Sequence, residues 1–256
     1  MSVNSFTILG SSSGMPSPDR ACSGYVLQID GRLSLIDCGG GVCSSFLRCG
    51  FDPLLVDRIF VSHAHADHVC ELPLFIQMVY LAGQQNRLDV FVPTEFVNAL
   101  ASYLNALYLP KEKLPFELEV IGYHAGTVYS QGFELRAIPN RHLDGYAKYI
   151  EQLNLPNRMQ SHSFDVFVGG KSVFYSADIA GFNDIREHID GKDYVVIELT
   201  HVDLDEFFST APSLNVGQFV ITHLGNNDQV KLIEQRARKA GMDNLKIAYD
   251  GMKLLL

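Results

Sequence analysis

The run His63-Ala64-His65-Ala66-Asp67-His68 constrains this chain more than any other feature. It follows a β-type run, Arg58–Ser62 (RIFVS), and opens an apolar stretch, His68–Leu81, that reads as a helix. Three imidazoles and a carboxylate within six residues are not accounted for by packing. Imidazole nitrogen and carboxylate oxygen are the ligand types that zinc takes in catalytic sites. In a tight turn, adjacent ligands cannot all face one ion, so the natural arrangement divides them between two. A fold that uses such a run must end a buried strand in a turn and then continue as helix, which calls for a layered α/β architecture.

The rest of the chain fits that requirement. Phe6–Leu9, Tyr25–Ile29 and Leu33–Ile36 read as short strands, with Asp30-Gly31 as a two-residue hairpin turn between the second and third. Gly41–Cys49 reads as a short helix ended by Gly50, and Leu88–Val92 as a strand. Thr94 is placed to cap a helix from Glu95 to Leu107. In the second half Phe116–Ile121, Thr127–Tyr129, Phe133–Pro139, Phe164–Val168 and Ser172–Ser176 read as strands, the last two joined at Gly169-Gly170-Lys171. Tyr194–Leu199 and Phe219–Thr222 are short, apolar and β-branched, as strands buried on both faces are. Asn227–Ala240 is a helix with Gly241 as its C-cap, and Lys246–Tyr249 a last strand. Both halves share a rhythm of strands followed by helix, with no linker between them.

The H-x-H-x-D-H pattern after a strand resembles the metallo-β-lactamase superfamily, and the resemblance extends over nearly the whole chain. Asp37 in LSLIDCGGG, His142 in PNRHLDGY, Asp178 in FYSADIAG and His223 in FVITHLG match the superfamily's other motifs in order. The resemblance implies an αββα four-layer sandwich of two mixed β-sheets flanked by helices, as a single hydrolase domain over residues 1–256. It implies two divalent metal ions, zinc first, with manganese or iron as alternatives. His63, His65 and His142 would hold one ion, and Asp67, His68 and His223 the other. Asp178 would bridge them, and Asp37 would brace the metal loop from behind its ligands. The opening stretch, FTILGSSSGMPSPDRACSGYVLQIDGRLSLIDCGGG, resembles the ribonuclease Z branch, which also contains cyclic phosphodiesterases and some arylsulfatases. VVIELTHV is similar to that branch's His-Glu-Ala-Thr stretch, with Glu198 and Thr200 in place. The branch's histidine before the Glu is Ile197 here, and a histidine follows instead, at His201.

The expected activity is metal-dependent hydrolysis of a small or cyclic phosphodiester or an RNA 3′ end. Esters, lactones, thioesters and aryl sulfates are the alternative substrates. Asp67, Asp178 and His201 are the catalytic candidates, His201 as proton donor beside Glu198. Arg20 and Tyr146 are candidates for substrate contact. The net charge of −9 and the absence of a Lys/Arg run disfavour nucleic acid as partner. The stretch from Tyr146 to Phe164 is also too short for the basic arm with which ribonuclease Z enzymes clamp tRNA. Five irregularly spaced cysteines suggest reduced, mostly buried thiols. With no signal peptide and no membrane-length apolar run, the expected compartment is the cytoplasm. The resemblance suggests a homodimer, for which the apolar stretch His68–Leu81 is the candidate interface. Gly10–Gly14 matches G-x-S-x-G, but Met15-Pro16-Ser17-Pro18 forbids the helix that a nucleophile elbow needs. A loop rimming the metal site is the better reading. His124, His162 and His188 are expected at the surface, and Asp203-Leu204-Asp205-Glu206 as a solvated cap.

Overall fold

The computed structural model describes residues 3–256. In chain order the elements are β1 (Ser5–Gly10), β2 (Gly24–Ile29), β3 (Arg32–Cys38), α1 (Val42–Arg48), β4 (Val56–Phe60), α2 (Ala66–Val69), α3 (Leu72–Leu81), β5 (Leu88–Pro93), α4 (Val97–Ala106) and β6 (Leu118–Tyr123). They continue as β7 (Gly126–Ser130), β8 (Glu134–Pro139), α5 (Ala147–Leu153), β9 (His162–Val168), β10 (Lys171–Tyr175), β11 (Tyr194–Glu198), α6 (Leu204–Thr210), β12 (Gln218–Thr222), α7 (Asn227–Ala240), β13 (Leu245–Ile247) and β14 (Lys253–Leu255). The chain divides into two compact units, one reaching His124 and taking back Asp250–Leu256, the other spanning Ala125–Tyr249.

The first unit is built on a seven-stranded sheet in the order β14-β1-β2-β3-β4-β5-β6. Pairing is antiparallel from β14 to β3 and parallel from β3 to β6. The β2–β3 hairpin turns at Asp30 (φ 48°) and Gly31 (φ 80°), the two positive φ angles that a tight type I′ turn requires. One face of the sheet, through Val26, Leu35, Ile59 and Val90, packs with Phe46 of α1, Phe75, Ile76 and Val79 of α3 and Leu100 of α4. Burying side chains of this size contributes about 1.5–3 kcal/mol each. Phe6, Ile8, Tyr25, Leu27, Ile36 and Phe60, whose side chains alternate with those along the strands, are also fully buried.

The second unit repeats the plan with the chain order reversed. Its seven-stranded sheet runs β13-β12-β11-β10-β9-β8-β7, parallel from β13 to β10 and antiparallel from β10 to β7. Phe174, Val195, Ile197, Phe219 and Ile221 form a core with Phe207 of α6 and Ile233 and Ala237 of α7. Asn226 caps α7 by accepting from the backbone N–H of Asp228 and Gln229, and Gly241 ends it at φ 69°. β11 and β12 are buried almost throughout, as their apolar, β-branched composition requires.

Several elements differ from the sequence expectation. The helix expected over His68–Leu81 is two helices, broken at Cys70-Glu71, because Pro73 cannot donate to the carbonyl of Val69 and its ring crowds that carbonyl. The strand expected at Arg58–Ser62 is β4, Val56–Phe60, so Val61 and Ser62 already belong to the turn. Thr94 does not cap an α-helix; it opens a 3₁₀ turn, Thr94–Phe96, before α4. His162 is buried at the start of β9 rather than at the surface, because β9 lies in the interior of its sheet. The acidic run, by contrast, agrees with its expectation as a solvated cap: Asp203 caps α6 by accepting from the N–H of Asp205 and Glu206, and the run is exposed or half-buried. Among the described residues no helix is long and apolar enough to cross a membrane.

Candidate metal centre

In both units the candidate residues stand where strands end, the edge of an open α/β sheet at which ligands bind. In the first unit Asp37 lies near the end of β3, and His63, His65, Asp67 and His68 follow β4. Asp37 is fully buried. It accepts from Ser62 N (2.8 Å), Ser62 Oγ (2.8 Å) and His68 Nδ1 (2.8 Å). The serine hydroxyl, having donated to Asp37, accepts from His63 Nδ1 at 3.1 Å. This relay places the ring protons of His63 and His68 on Nδ1 and leaves Nε2 with the lone pair that a metal needs. The rings of His63 and His68 are 4.1 Å apart, those of His63 and His65 4.8 Å apart, and Asp67 Oδ2 lies 3.5 Å from His68 Nε2.

The Gly-rich turn after Asp37 holds this loop. A Cβ on Gly39 would stand 1.8 Å from the carbonyl oxygen of Asp67, so only glycine admits the approach. Glu71, just after α2, accepts from the N–H groups of Gly41 and Cys43 at 2.8 Å each and ties the metal loop to the start of α1. Across the sheet, the buried Tyr123 hydroxyl donates to the carbonyl of Val61 at 2.6 Å.

In the second unit His142 follows β8, Asp178 follows β10, and His223 follows β12. Asp178 Oδ1 is 3.3 Å from His223 Nδ1, and Asp178 Oδ2 is 3.5 Å from His142 Nε2. Both carboxylate oxygens thus face imidazole nitrogens from two different strand ends. Glu198, at the end of β11 and fully buried, accepts from Ile179 N (3.2 Å), Thr200 N (2.6 Å), His201 N (2.9 Å) and His201 Nδ1 (2.9 Å). The His201 ring is therefore fixed, with centroids 5.0 Å from His142 and 6.1 Å from His223. Thr200 Oγ1 donates to the carbonyl of His223 at 2.7 Å, so one short turn orients both histidines.

Three non-glycine residues at these strand ends are left-handed: Asp37 (φ 56°), Ala177 (φ 47°) and His223 (φ 52°). Each such residue costs about 1–2 kcal/mol and persists only where its surroundings hold it. Two are candidate site residues themselves and the third precedes Asp178.

Each unit therefore brings its own candidates together, His63, His65, Asp67 and His68 with Asp37 in one, and His142, Asp178 and His223 with His201 and Glu198 in the other. Neutral imidazole nitrogens beside carboxylates are a donor chemistry that fits a divalent metal. Arg20 lies half-buried ahead of Ala21, and Tyr146 stands half exposed in a 3₁₀ turn, Asp144–Tyr146, that leads into α5. Gly10–Gly14 is followed by an irregular loop with no helix, and Ser12 Oγ donates to the carbonyl of Met15. Sequence reasoning missed Ser62 and Glu71. Neither had a motif, and their partners lie 25 and about 30 residues away.

Comparison with known proteins agrees with this fold. A family model described as Anti-Pycsar protein Apyc1 matches residues 4–212. Ribonuclease Z of Methanothermobacter thermautotrophicus is 31% identical over 137 residues, 53% of this chain and 44% of that protein. Ribonuclease Z of a Bradyrhizobium species is 25% identical over an alignment covering 90% of this chain and 93% of its own length. The crystal structure of the metallo-β-lactamase fold protein YhfI from Bacillus subtilis matches with a TM-score of 0.75 at 18% identity, covering 100% of both chains. That likeness carries the fold, and the two seven-stranded mixed sheets with their helices agree with it. The chain belongs to the family described as Anti-Pycsar protein Apyc1, has the metallo-β-lactamase fold, is similar to ribonuclease Z, and is a metal-dependent hydrolase.

Proposed function

We propose that the chain is a phosphodiesterase with a dinuclear metal centre, acting on a small or cyclic phosphodiester. The observation that carries this reading is the donor inventory. His63, His65, Asp67 and His68 gather in the first unit and His142, Asp178 and His223 in the second; on this reading His63, His65 and His142 would hold one ion, Asp67, His68 and His223 the other, and Asp178 would serve both. Zinc is the ion to which nitrogen and carboxylate donors of this kind are best suited, with manganese and iron as the alternatives. Ions bound there would supply Lewis acidity and bring the pKa of water towards neutrality.

The chain's own residues have separable tasks. Asp67 takes the proton of the attacking water on a carboxylate oxygen, and Asp178 orients that water. His201 carries a proton on Nε2 for the departing oxygen. Glu198 holds Nδ1 of the same ring and stabilises the imidazolium. The branch's histidine position is Ile197 here, fully buried in β11, so it cannot serve; His201 stands on the exposed side of the same turn. Arg20 pairs with phosphate oxygens. Tyr146 offers a phenolic hydroxyl to the substrate.

A small substrate is favoured over RNA by charge and by length. The chain carries −9, and the stretch between Leu143 and His162 holds a 3₁₀ turn and the two-turn helix α5 rather than a long basic arm. A homodimer through α3 belongs to the same reading, since Leu74 and Leu81 of that helix are exposed. The test is elemental analysis together with hydrolysis of bis(4-nitrophenyl) phosphate, with and without added Zn²⁺ or Mn²⁺. Two metals per chain and metal-dependent turnover are expected. Two metals with hydrolysis of aryl esters or sulfates only would overturn the phosphodiester assignment.

A further inference from the structure

Asp250 makes a set of contacts that no motif announces. It stands between β13 and β14, in the segment 250–256 that belongs to the first unit. That segment is tied to the start of the chain by Gly251 N donating to the Ile8 carbonyl (2.7 Å), Ile8 N to the Met252 carbonyl (2.9 Å) and Leu256 N to the Asn4 carbonyl (3.0 Å). From this base the Asp250 carboxylate accepts three hydrogen bonds. Oδ1 takes Ser11 N (3.0 Å) and Ser11 Oγ (2.8 Å), and Oδ2 takes Ala21 N (2.7 Å).

Ser11 and Ala21 are the two ends of one loop. Ser12 N donates to the Ala21 carbonyl at 2.9 Å, which closes the loop directly above the carboxylate. The pinch is tight, since a Cβ on Gly10 would meet the Cys22 carbonyl oxygen at 1.7 Å. Going out, the loop passes Gly14, whose Cβ position lies 3.3 Å from Asp67 Oδ2. Coming back, it carries Arg20 immediately before the tethered Ala21. One carboxylate thus sets where a candidate base is walled and where a candidate phosphate ligand stands. An ionised acceptor shared by two backbone donors and a hydroxyl is a stronger tether than neutral contacts of the same number.

We propose that Asp250 is a positioning residue for substrate binding, fixing the loop 11–21 so that Arg20 meets the substrate phosphate. This rests on the phosphodiesterase reading above. It predicts that the residue acts on binding rather than on the metal ions or the chemical step, because it reaches the substrate only through the loop.

The test uses Asp250→Ala and Asp250→Asn in the full chain loaded with metal, measuring metal content, residue-level amide exchange and the kinetics of bis(4-nitrophenyl) phosphate hydrolysis. For Asp250→Ala the metal content should be unchanged, and the Ser11 and Ala21 amides should exchange about 10-fold faster or more while β2 and β3 keep their rates. KM should rise about 10-fold, with kcat within about 3-fold of the parent. Asp250→Asn keeps one acceptor oxygen and should fall between the two. Unchanged exchange at Ser11 and Ala21, a loss confined to kcat, or faster exchange spread evenly over the whole sheet would each overturn the proposal. If Asp250→Ala does not fold, Asp250→Asn decides by the same readouts. If the parent turns over no phosphodiester, the functional reading fails, and the exchange pattern alone then decides whether the tether exists.

Discussion

Replacing Asp37 separates what the buried carboxylate does for the fold from what it does for the metal ligands. Three donors lose their acceptor in Asp37→Ala: Ser62 N, Ser62 Oγ and His68 Nδ1, all at 2.8 Å. Burying such groups unpaired costs about 1–3 kcal/mol each, and because they share one site the total is about 3–5 kcal/mol rather than the full sum. Alanine at φ 56° adds strain that aspartate and asparagine tolerate better. For a chain of this size each kcal/mol moves the melting temperature by about 2–4 °C, so the metal-free variant should melt about 10 °C or more below the parent. Asp37→Asn behaves differently. Its oxygen still accepts from Ser62 N, and Ser62 Oγ can turn to accept from the new amide, so the fold loses only about 1–2 kcal/mol. The amide N–H₂ now faces His68 Nδ1, which must become an acceptor and send its proton to Nε2. That tautomer cannot ligate. Metal affinity should fall about 10–100-fold, although no ligand has been changed. Zinc competition against a chromophoric chelator, alongside melting curves of the metal-free proteins, reads both quantities. An Asp37→Asn variant that binds zinc as tightly as the parent would refute the tautomer argument.

Asp178→Ala removes the carboxylate proposed to serve both ions, so turnover should vanish and metal content should drop while the circular dichroism spectrum persists. His201→Ala should lower kcat by about 10²–10⁴-fold with metal content unchanged, and Glu198→Gln should lower it less while moving the alkaline limb of the pH–rate profile to lower pH, because the imidazolium that donates the proton loses its carboxylate partner. Equal KM and kcat effects for the two variants would argue against a proton-transfer pair. Alkaline stability follows from two buried acids. Burial pushes the Tyr123 phenol and the Cys38 thiol well above their ordinary values, the thiol aided by its contact with Cys43. Because the folded pKa values are raised, the folded chain keeps protons that the unfolded chain has lost. Stability is therefore fully present below the unfolded values and declines as pH rises past them, by about 1.4 kcal/mol per pH unit for each group. Chemical denaturation from pH 8 to 11 should show the decline, and Cys38→Ala should remove the thiol's share of the slope.

The candidate metal ligands stand out in the sequence because they follow apolar, β-branched runs. Val195–Glu198 and Phe219–Thr222 announce strands by composition alone, and the residue that follows has nowhere to go but the sheet's edge. The hairpin at Asp30-Gly31 and the caps of α7 were legible for a similar reason, since their chemistry is local. The break between α2 and α3 was harder, because the periodicity of His68–Leu81 outweighs the single Pro73 that interrupts it. Left-handed Ala177 had no signal at all, as alanine is a poor choice for that conformation and only the surrounding sheet holds it there. Asp250 was invisible for a plainer reason: its partners are 239 and 229 residues away.

The pairing of β14 with β1 also has a bearing on how the molecule is made. A ribosome delivers β1 before the whole second unit and its neighbour β14 only after that unit has been added. Until then the first sheet carries an open edge, with the backbone groups of Ser5–Thr7 exposed on that side. Closing so long a loop is entropically slow, so residues 250–256 should dock onto a first sheet whose other strands are already paired. The loop that carries Arg20, held at both ends by Asp250, should therefore take its place only after the strands beside it have paired.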